Sequence, residues 1–171
     1  GVAVTVPHKE TALQLAARSS RLARTAGACN TLLPGTDADG WLATNTDVWG
    51  VRCALRRVTA GSRTLLLGCG GAAGAAALVL RGRGPMAVCG RDSSKSAAFA
   101  RRWGLEAIPW DQRASARWNL LVNATPLGRQ DDETPYPADC LCGQWIFDMV
   151  VRHGGTPILS DAWEGLEQFY E

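Results

Sequence analysis

Apolar residues fall into short β-branched or leucine-rich runs separated by turn residues and by stretches of helical character. Val2 to Val6 is a β-branched run stopped by Pro7, the pattern of a strand entering a loop. Thr11 to Ala17 predicts a helix. Cys29 to Leu33 and Trp41 to Thr44 predict two strands of a hairpin around the turn-rich stretch from Pro34 to Gly40. Asn45 or Thr46 is positioned to cap a helix from Asp47 to Val58, which Gly61 closes, and a domain boundary is expected near Ala60.

From Arg63 onward the pattern alternates regularly. Strands are expected at Thr64 to Leu67, Met86 to Cys89, Glu106 to Ile108, Leu120 to Asn123 and Trp145 to Met149. Helices are expected at Gly71 to Leu80, Ser93 to Trp103 and Ile158 to Phe169. Strands alternating with helices imply βαβ crossovers and a parallel sheet, so the fold class is α/β. No repeat or low-complexity segment interrupts the pattern.

Composition narrows the function classes. The 171 residues are 46% hydrophobic and 20% charged with a net charge of +2, ordinary values for a globular protein. Basic residues are scattered, so neither a nucleic-acid partner nor a membrane partner is expected. Arg18, Arg21 and Arg24 have the spacing of one solvated helix face. No apolar run is long enough to span a bilayer and residues 1–10 lack signal-peptide character, which makes the cytoplasm the expected compartment. Six cysteines without paired metal-ligand spacing argue for free thiols and against zinc or any other metal; Cys69 and Cys89 are expected to be small buried hydrophobes. The seven tryptophans read as core or interface anchors, and His8 and His153 stand alone. Among the basic residues only Lys9 and Lys95 are lysines. Lysine, unlike arginine, can release its proton in a suitable site, so Lys9 invites a chemical explanation.

The stretch from Thr64 to Gly74 fits G-x-G-x-x-A between an apolar strand and an alanine-rich helix, the setting of a Rossmann-like dinucleotide-binding loop. Gly68 permits the turn, Gly70 with Gly71 lets the backbone approach a pyrophosphate, small Ala73, after Ala72, allows the helix to lie close on the strand, and the free N–H groups at the helix start face phosphate. About twenty residues on, where the adenosine ribose is read, stands Arg91. Its guanidinium fork suits a 2′-phosphate and favours NADP, while the adjacent Asp92 keeps NAD as the alternative.

Three further stretches matter together: Val4-Thr-Val-Pro-His-Lys9, Gly27-Ala-Cys-Asn30-Thr-Leu and Asn45-Thr-Asp47. With Asn123-Ala-Thr-Pro-Leu-Gly128 and Asp148-Met-Val followed by Thr156-Pro157, they stand in the same order as in the shikimate dehydrogenase family, which the sequence resembles over nearly its whole length. The resemblance implies that Lys9 and Asp47 form a catalytic pair, that Thr5 and Asn30 bind substrate hydroxyls, and that Asn123, Thr125 and Pro126 lie beside the nicotinamide of the cofactor. It further implies reversible, NADPH-dependent reduction of 3-dehydroshikimate or a related cyclic hydroxy acid, a small-molecule partner. A homo-oligomer is compatible with it. The implied segments are residues 1–59, part of a smaller α/β substrate domain; 60–152, the dinucleotide-binding domain; and 153–171, a C-terminal helix returning toward the substrate domain.

Against the family pattern, the chain is expected to lack the opening part of the substrate domain, with its serine-bearing grip on the substrate carboxylate, and as given to bind dinucleotide but turn over shikimate poorly or not at all. Val151 replaces a tyrosine, Arg129 replaces an apolar residue, and Gln168 matches the family's substrate glutamine too loosely to be assigned. A catalytically silent dinucleotide-binding or regulatory relative is the alternative. Retention of Lys9, Asn30 and Asp47 together favours an enzyme.

Overall fold

The computed structural model describes residues 1–35, 40–130 and 132–167. The tip of the expected hairpin at 36–39 and the expected last helical residues at 168–169 lie outside that set, as does Gln168. Two compact units are present: residues 1–57 with 70–81, and residues 58–69 with 82–171. The expected boundary near residue 60 separates the chain differently, since the helix after the glycine-rich loop groups with the first unit. The cause is steric. That helix presents Gly71 and Gly74 to Ala26 and Ala28, and a Cβ on Gly74 would overlap the Ala26 carbonyl oxygen.

The first unit holds β1 (Val2–Ala3), α1 (Lys9–Leu15), β2 (Arg18–Ser19), α2 (Arg21–Ala26), β3 (Thr31–Pro34), β4 (Trp41–Thr44) and α3 (Asp47–Ala54), which runs into a 3₁₀ turn at Leu55–Arg57. Its sheet has the order β1-β3-β4-β2, with β3 and β4 antiparallel and in register from Thr31 opposite Thr44 to Pro34 opposite Trp41. Ala23, Cys29 and Ala43 form one buried cluster, backed by Val4, Leu13 and Leu32. A second joins Ala26 and Val48 to Ala75 of α4 (Gly71–Leu80). The expected strand at Val2 to Val6 shortens to β1, whose pairing with β3 covers only Val2 and Ala3. The arginine trio does not share one helix face. Arg18 is in β2, and a new helix begins after Ser20, whose hydroxyl accepts from the Ala23 N–H at 3.1 Å.

The second unit carries a wholly parallel five-stranded sheet, the Rossmann-like arrangement expected from the alternating pattern. It is built from β5 (Thr64–Leu67), β6 (Met86–Cys89), β7 (Glu106–Ala107), β8 (Leu120–Asn123) and β9 (Trp145–Asp148) in the order β7-β6-β5-β8-β9. α5 (Ser93–Trp103) follows β6, and α6 (Pro157–Glu167) follows β9. Strands β5 and β8 are buried at every position, so burial on both faces accounts for their unbroken apolar sequence. The core gathers Leu65, Leu67, Cys89, Leu121, Trp118, Tyr136 and Ile158. Trp118 donates to the Tyr136 hydroxyl at 2.9 Å, so both polar tips are satisfied inside the apolar layer.

Trp103 and Trp118 are core residues, whereas Trp41, Trp49, Trp145 and Trp163 are exposed. None of the six cysteines is in a disulfide; Cys89 is buried, and burial pushes its thiol up to about 12. Cys69 is only half-buried, against expectation, because it sits in the glycine-rich loop rather than in the strand. Among the described residues no helix is long and apolar enough to cross a membrane, and no group of side chains has the makings of a metal site.

Candidate active site

In the first unit, α1 begins at Lys9 and α3 begins at Asp47, so two helix starts bring the pair together. Lys9 Nζ lies 2.6 Å from Asp47 Oδ2, with side chains 14% and 23% exposed. The second carboxylate oxygen, Oδ1, accepts from Asn30 Nδ2 at 2.7 Å. Asn30 is itself fixed: its Oδ1 accepts from the Thr46 N–H at 2.8 Å and from the Thr31 hydroxyl at 3.0 Å. One carboxylate is thus oriented by an ammonium and an amide, and the ammonium keeps further donor capacity on a partly open site.

Backbone bonds hold the residues behind this group. The Cys29 N–H donates to the Lys9 carbonyl at 2.9 Å, and the Asn30 N–H donates to the Thr44 carbonyl at 3.1 Å. Asn45 is buried; it accepts from the Val48 N–H at 3.3 Å, a local bond of the capping kind expected of it at the start of α3, and also donates to the Ala28 carbonyl at 2.8 Å. It therefore joins the Ala28 turn to the start of α3. Its place before the helix gave the capping expectation; its bond to Ala28 joins residues distant in the chain and left no signal in the sequence. Thr5 is exposed, its carbonyl accepts from the His8 N–H at 2.9 Å, and no hydrogen bond among the described residues links it to the Lys9 group.

In the second unit, register sets the chemistry. Leu67 pairs with both Cys89 and Asn123, and Asn123 pairs with Asp148, so the carboxyl ends of four strands line up in one row. Gly68, Gly90 and Arg91, the Asn123 loop and Asp148 therefore share one edge of the sheet. Gly68 has φ +99°, and a Cβ there would stand 2.9 Å from the Ala124 carbonyl oxygen, so glycine is what lets the two loops close on each other. In the first unit, Gly70, which precedes α4, is exposed with nothing near its Cβ position, and Ala73 of α4 is fully buried. Arg91 is exposed and has no hydrogen-bond or ion-pair partner among the described residues. Asp92 is occupied differently: its Oδ1 accepts from the Ser94 hydroxyl at 2.7 Å and the Lys95 N–H at 3.0 Å, capping α5. These bonds hold its carboxyl below the usual range.

Asn123 is fully buried, and its side chain is committed to the protein. Its Oδ1 accepts from the Thr125 N–H at 3.0 Å and the Thr125 hydroxyl at 2.7 Å, while Nδ2 donates to Asp148 Oδ1 at 2.9 Å. Asp148 accepts twice more, from the Val150 N–H at 2.9 Å and from the buried Thr156 hydroxyl at 2.5 Å. Burial raises the Asp148 carboxyl, and the bonds from Thr156, Val150 and Asn123 oppose the rise. The sequence motif contained Asp148 and Thr156 but supplied no role for them; here they clamp the Asn123 loop. Pro126 is exposed at its tip, and Val151 is 91% exposed.

Residues 1–32 match the family model described as the shikimate dehydrogenase substrate binding domain. The shikimate dehydrogenase (NADP(+)) of Pelobacter propionicus is 33% identical over 99% of this chain and 66% of its own length. That of Oleidesulfovibrio alaskensis is 39% identical over 95% of the chain and 61% of its own length. The chain thus spans between three fifths and two thirds of these relatives. The crystal structure of shikimate 5-dehydrogenase from Thermus thermophilus in complex with NADP(H) and shikimate superposes with a TM-score of 0.81 at 33% identity, over 95% of this chain and 63% of that one. Quinate dehydrogenase from Corynebacterium glutamicum in complex with NAD gives 0.77 at 27% identity, over 95% and 63%. With the ordered motifs, the parallel sheet and these relatives in agreement, the chain belongs to the shikimate dehydrogenase family.

Proposed function

We propose that the chain carries the catalytic pair and the dinucleotide-binding unit of an NADP-dependent oxidoreductase that interconverts 3-dehydroshikimate, or a related cyclic hydroxy acid, and its alcohol. The observation that carries this reading is the Lys9 ammonium held 2.6 Å from Asp47, whose other oxygen is held by Asn30. A bound nicotinamide would supply or accept the hydride. Lys9 Nζ then donates a proton to the oxygen of the reduced carbonyl and recovers it from solvent, so the new C–H and O–H bonds account for one hydride and one proton. Asp47 keeps the ammonium aimed while that oxygen carries charge. Asn30 and Thr5 offer polar groups to the ring hydroxyls of the substrate.

The residues at the sheet edge fit an NADP-type dinucleotide. In the second unit Gly68 lets the loops meet closely; in the first, Gly70 leaves backbone open for a pyrophosphate, and Ala72 and Ala73 add little bulk at the start of α4. Arg91 is a free fork for a 2′-phosphate, whereas Asp92 is occupied in capping α5, which favours NADP over NAD. Thr125 and Pro126 stand on the loop that would border the nicotinamide, with Asn123 as its internal brace.

A silent dinucleotide-binding relative is the second reading, favoured by the exposed Val151, which has no hydrogen-bonding group where family members carry a tyrosine. One experiment separates the two. Oxidation of shikimate and of quinate is followed by absorbance of the reduced nicotinamide with NADP and with NAD, alongside binding of each dinucleotide by calorimetry, using the protein that carries this chain. Turnover abolished by Lys9→Ala supports the enzyme. Dinucleotide binding without turnover of either acid by the parent supports the silent relative.

A further inference from the structure

We propose that Gly71 is a positioning residue for Lys9, a role separate from any contact of the glycine-rich loop with a dinucleotide. Gly71 is the first residue of α4, and both its neighbours in the question, Lys9 and Ala28, belong to the same compact unit. A Cβ built on Gly71 would stand 2.6 Å from Ala28 Cβ, 3.2 Å from Lys9 Cβ and 3.7 Å from Lys9 Cδ. The bare face of Gly71 is therefore filled by the stem of the lysine and by the alanine behind it.

The obstructing atoms are Cβ atoms, fixed to the backbone, so rotating a side chain cannot clear them. Bringing a methyl group at Gly71 to ordinary van der Waals separation from Ala28 takes a shift of about 1 Å, the carbon–carbon optimum being about 3.5 to 4.0 Å. That shift cannot stay local. The Cys29 N–H is bonded to the Lys9 carbonyl at 2.9 Å, so displacing the Ala28 turn displaces the start of α1. At the far end of the same side chain, Nζ holds Asp47 at 2.6 Å, a distance that leaves no slack. Gly71 thus works through Lys9 rather than on the reacting atoms.

Gly70 supplies the contrast. It is one residue away, has φ −91° and ψ −167°, and has open space at its Cβ position. A methyl there faces outward and leaves Lys9 untouched, so the two glycines are expected to separate loop chemistry from lysine geometry.

The kinetic consequence rests on the proposed function, but the geometric one does not, and the chain offers a direct probe: its only lysines are Lys9 and Lys95. Lysine labelled at Cε gives two NMR signals, assigned with Lys9→Arg, whose chemical shifts report the surroundings of each side chain without substrate or cofactor. Gly71→Ala is expected to move the chemical shift of Lys9, leave Lys95 in place, and lower kcat by about 10², the scale of a 1 Å misplacement. Gly70→Ala is expected to raise the dinucleotide KM and leave the Lys9 signal where the parent has it. Ala28→Gly added to Gly71→Ala removes the 2.6 Å overlap and should return Lys9 most of the way.

An unmoved Lys9 signal in folded Gly71→Ala overturns the proposal whatever happens to turnover. If Gly71→Ala does not fold, the paired Gly71→Ala, Ala28→Gly protein carries the test against Ala28→Gly alone. A Lys9 signal displaced between those two supports positioning through the remaining 3.2 Å contact, and identical signals overturn it. Should the parent show no turnover of any cyclic hydroxy acid, the functional reading fails while the NMR comparison still decides the role of Gly71.

Discussion

Asp148 offers a test of how the loop at Asn123 is held. Its carboxylate accepts three hydrogen bonds, from Asn123 Nδ2, the Val150 N–H and the Thr156 hydroxyl. Asp148→Ala leaves the Asn123 amide without its acceptor in a fully buried position, whereas Val150 is only partly buried and water can reach it. A stranded buried donor costs about 1 to 3 kcal/mol and the lost Thr156 bond about 1 more, so a destabilisation of about 2 to 4 kcal/mol is expected. Asp148→Asn keeps one acceptor oxygen for Asn123 and Val150 and places an amide NH₂ against Thr156, whose hydroxyl can turn to accept it. Its expected cost is about 1 kcal/mol or less. Urea unfolding followed by tryptophan fluorescence measures both. Equal losses at neutral pH would show that the negative charge, not the acceptor geometry, is what the site needs; a loss below about 1 kcal/mol for alanine would show that the clamp holds nothing. The pH dependence has a definite sign. Because the folded-state pKa of Asp148 is raised, its contribution is fully present below the unfolded value of about 3.9 and is lost as pH rises through the folded one. The parent should therefore gain stability relative to Asp148→Asn as pH falls through that window.

Three further outcomes are expected. Lys9→Ala should lower kcat by about 10² to 10⁴ with dinucleotide affinity unchanged; Lys9→Arg should not restore it, and Asp47→Asn combined with Lys9→Ala should be little worse than either alone in steady-state assays. Arg91→Ala should weaken NADP binding by about tenfold to a hundredfold and leave NAD affinity as it was, so equal losses in calorimetry would reject Arg91 as the phosphate reader. Gly68→Ala should cost about 1 to 3 kcal/mol for its left-handed backbone, visible as a lowered thermal midpoint, and should weaken dinucleotide binding because the Ala124 loop must retreat.

Legibility followed the range of the forces involved. Strands β5 and β8 appear where the apolar runs predict them, since burial on both faces leaves the same mark on every residue. Strand β1 is shorter than its β-branched run, because pairing with β3 rather than propensity sets its end. The even spacing of Arg18, Arg21 and Arg24 was misleading: Ser20 between them is a cap, and its hydroxyl divides strand from helix. The site divides similarly. Lys9, Asn30 and Asp47 were recognisable as ordered motifs, and their convergence is observed. The capping bond of Asn45 was legible locally, but its bond to Ala28 and the duties of Asn123 and Asp148 depend on partners farther along the chain, and nothing in local spacing encodes them. Gly71 is the sharpest instance, since the requirement for glycine there comes from residues 9 and 28.

Helix α4 has a thermodynamic consequence of its own. From Gly71 to Ala77 it contains only glycine and alanine, and Ala73 to Ala77 are all buried. These side chains have no rotamers to lose, whereas immobilising a leucine or isoleucine costs about 0.5 to 1 kcal/mol each in side-chain entropy. The segment joining the glycine-rich loop to the packed interior is therefore ordered at almost no side-chain entropy cost. It also has no alternative side-chain packing with which to absorb a disturbance. A helix of this kind moves as a rod or not at all, and replacing any of its buried alanines by a larger residue should act at its ends as well as at the point of substitution.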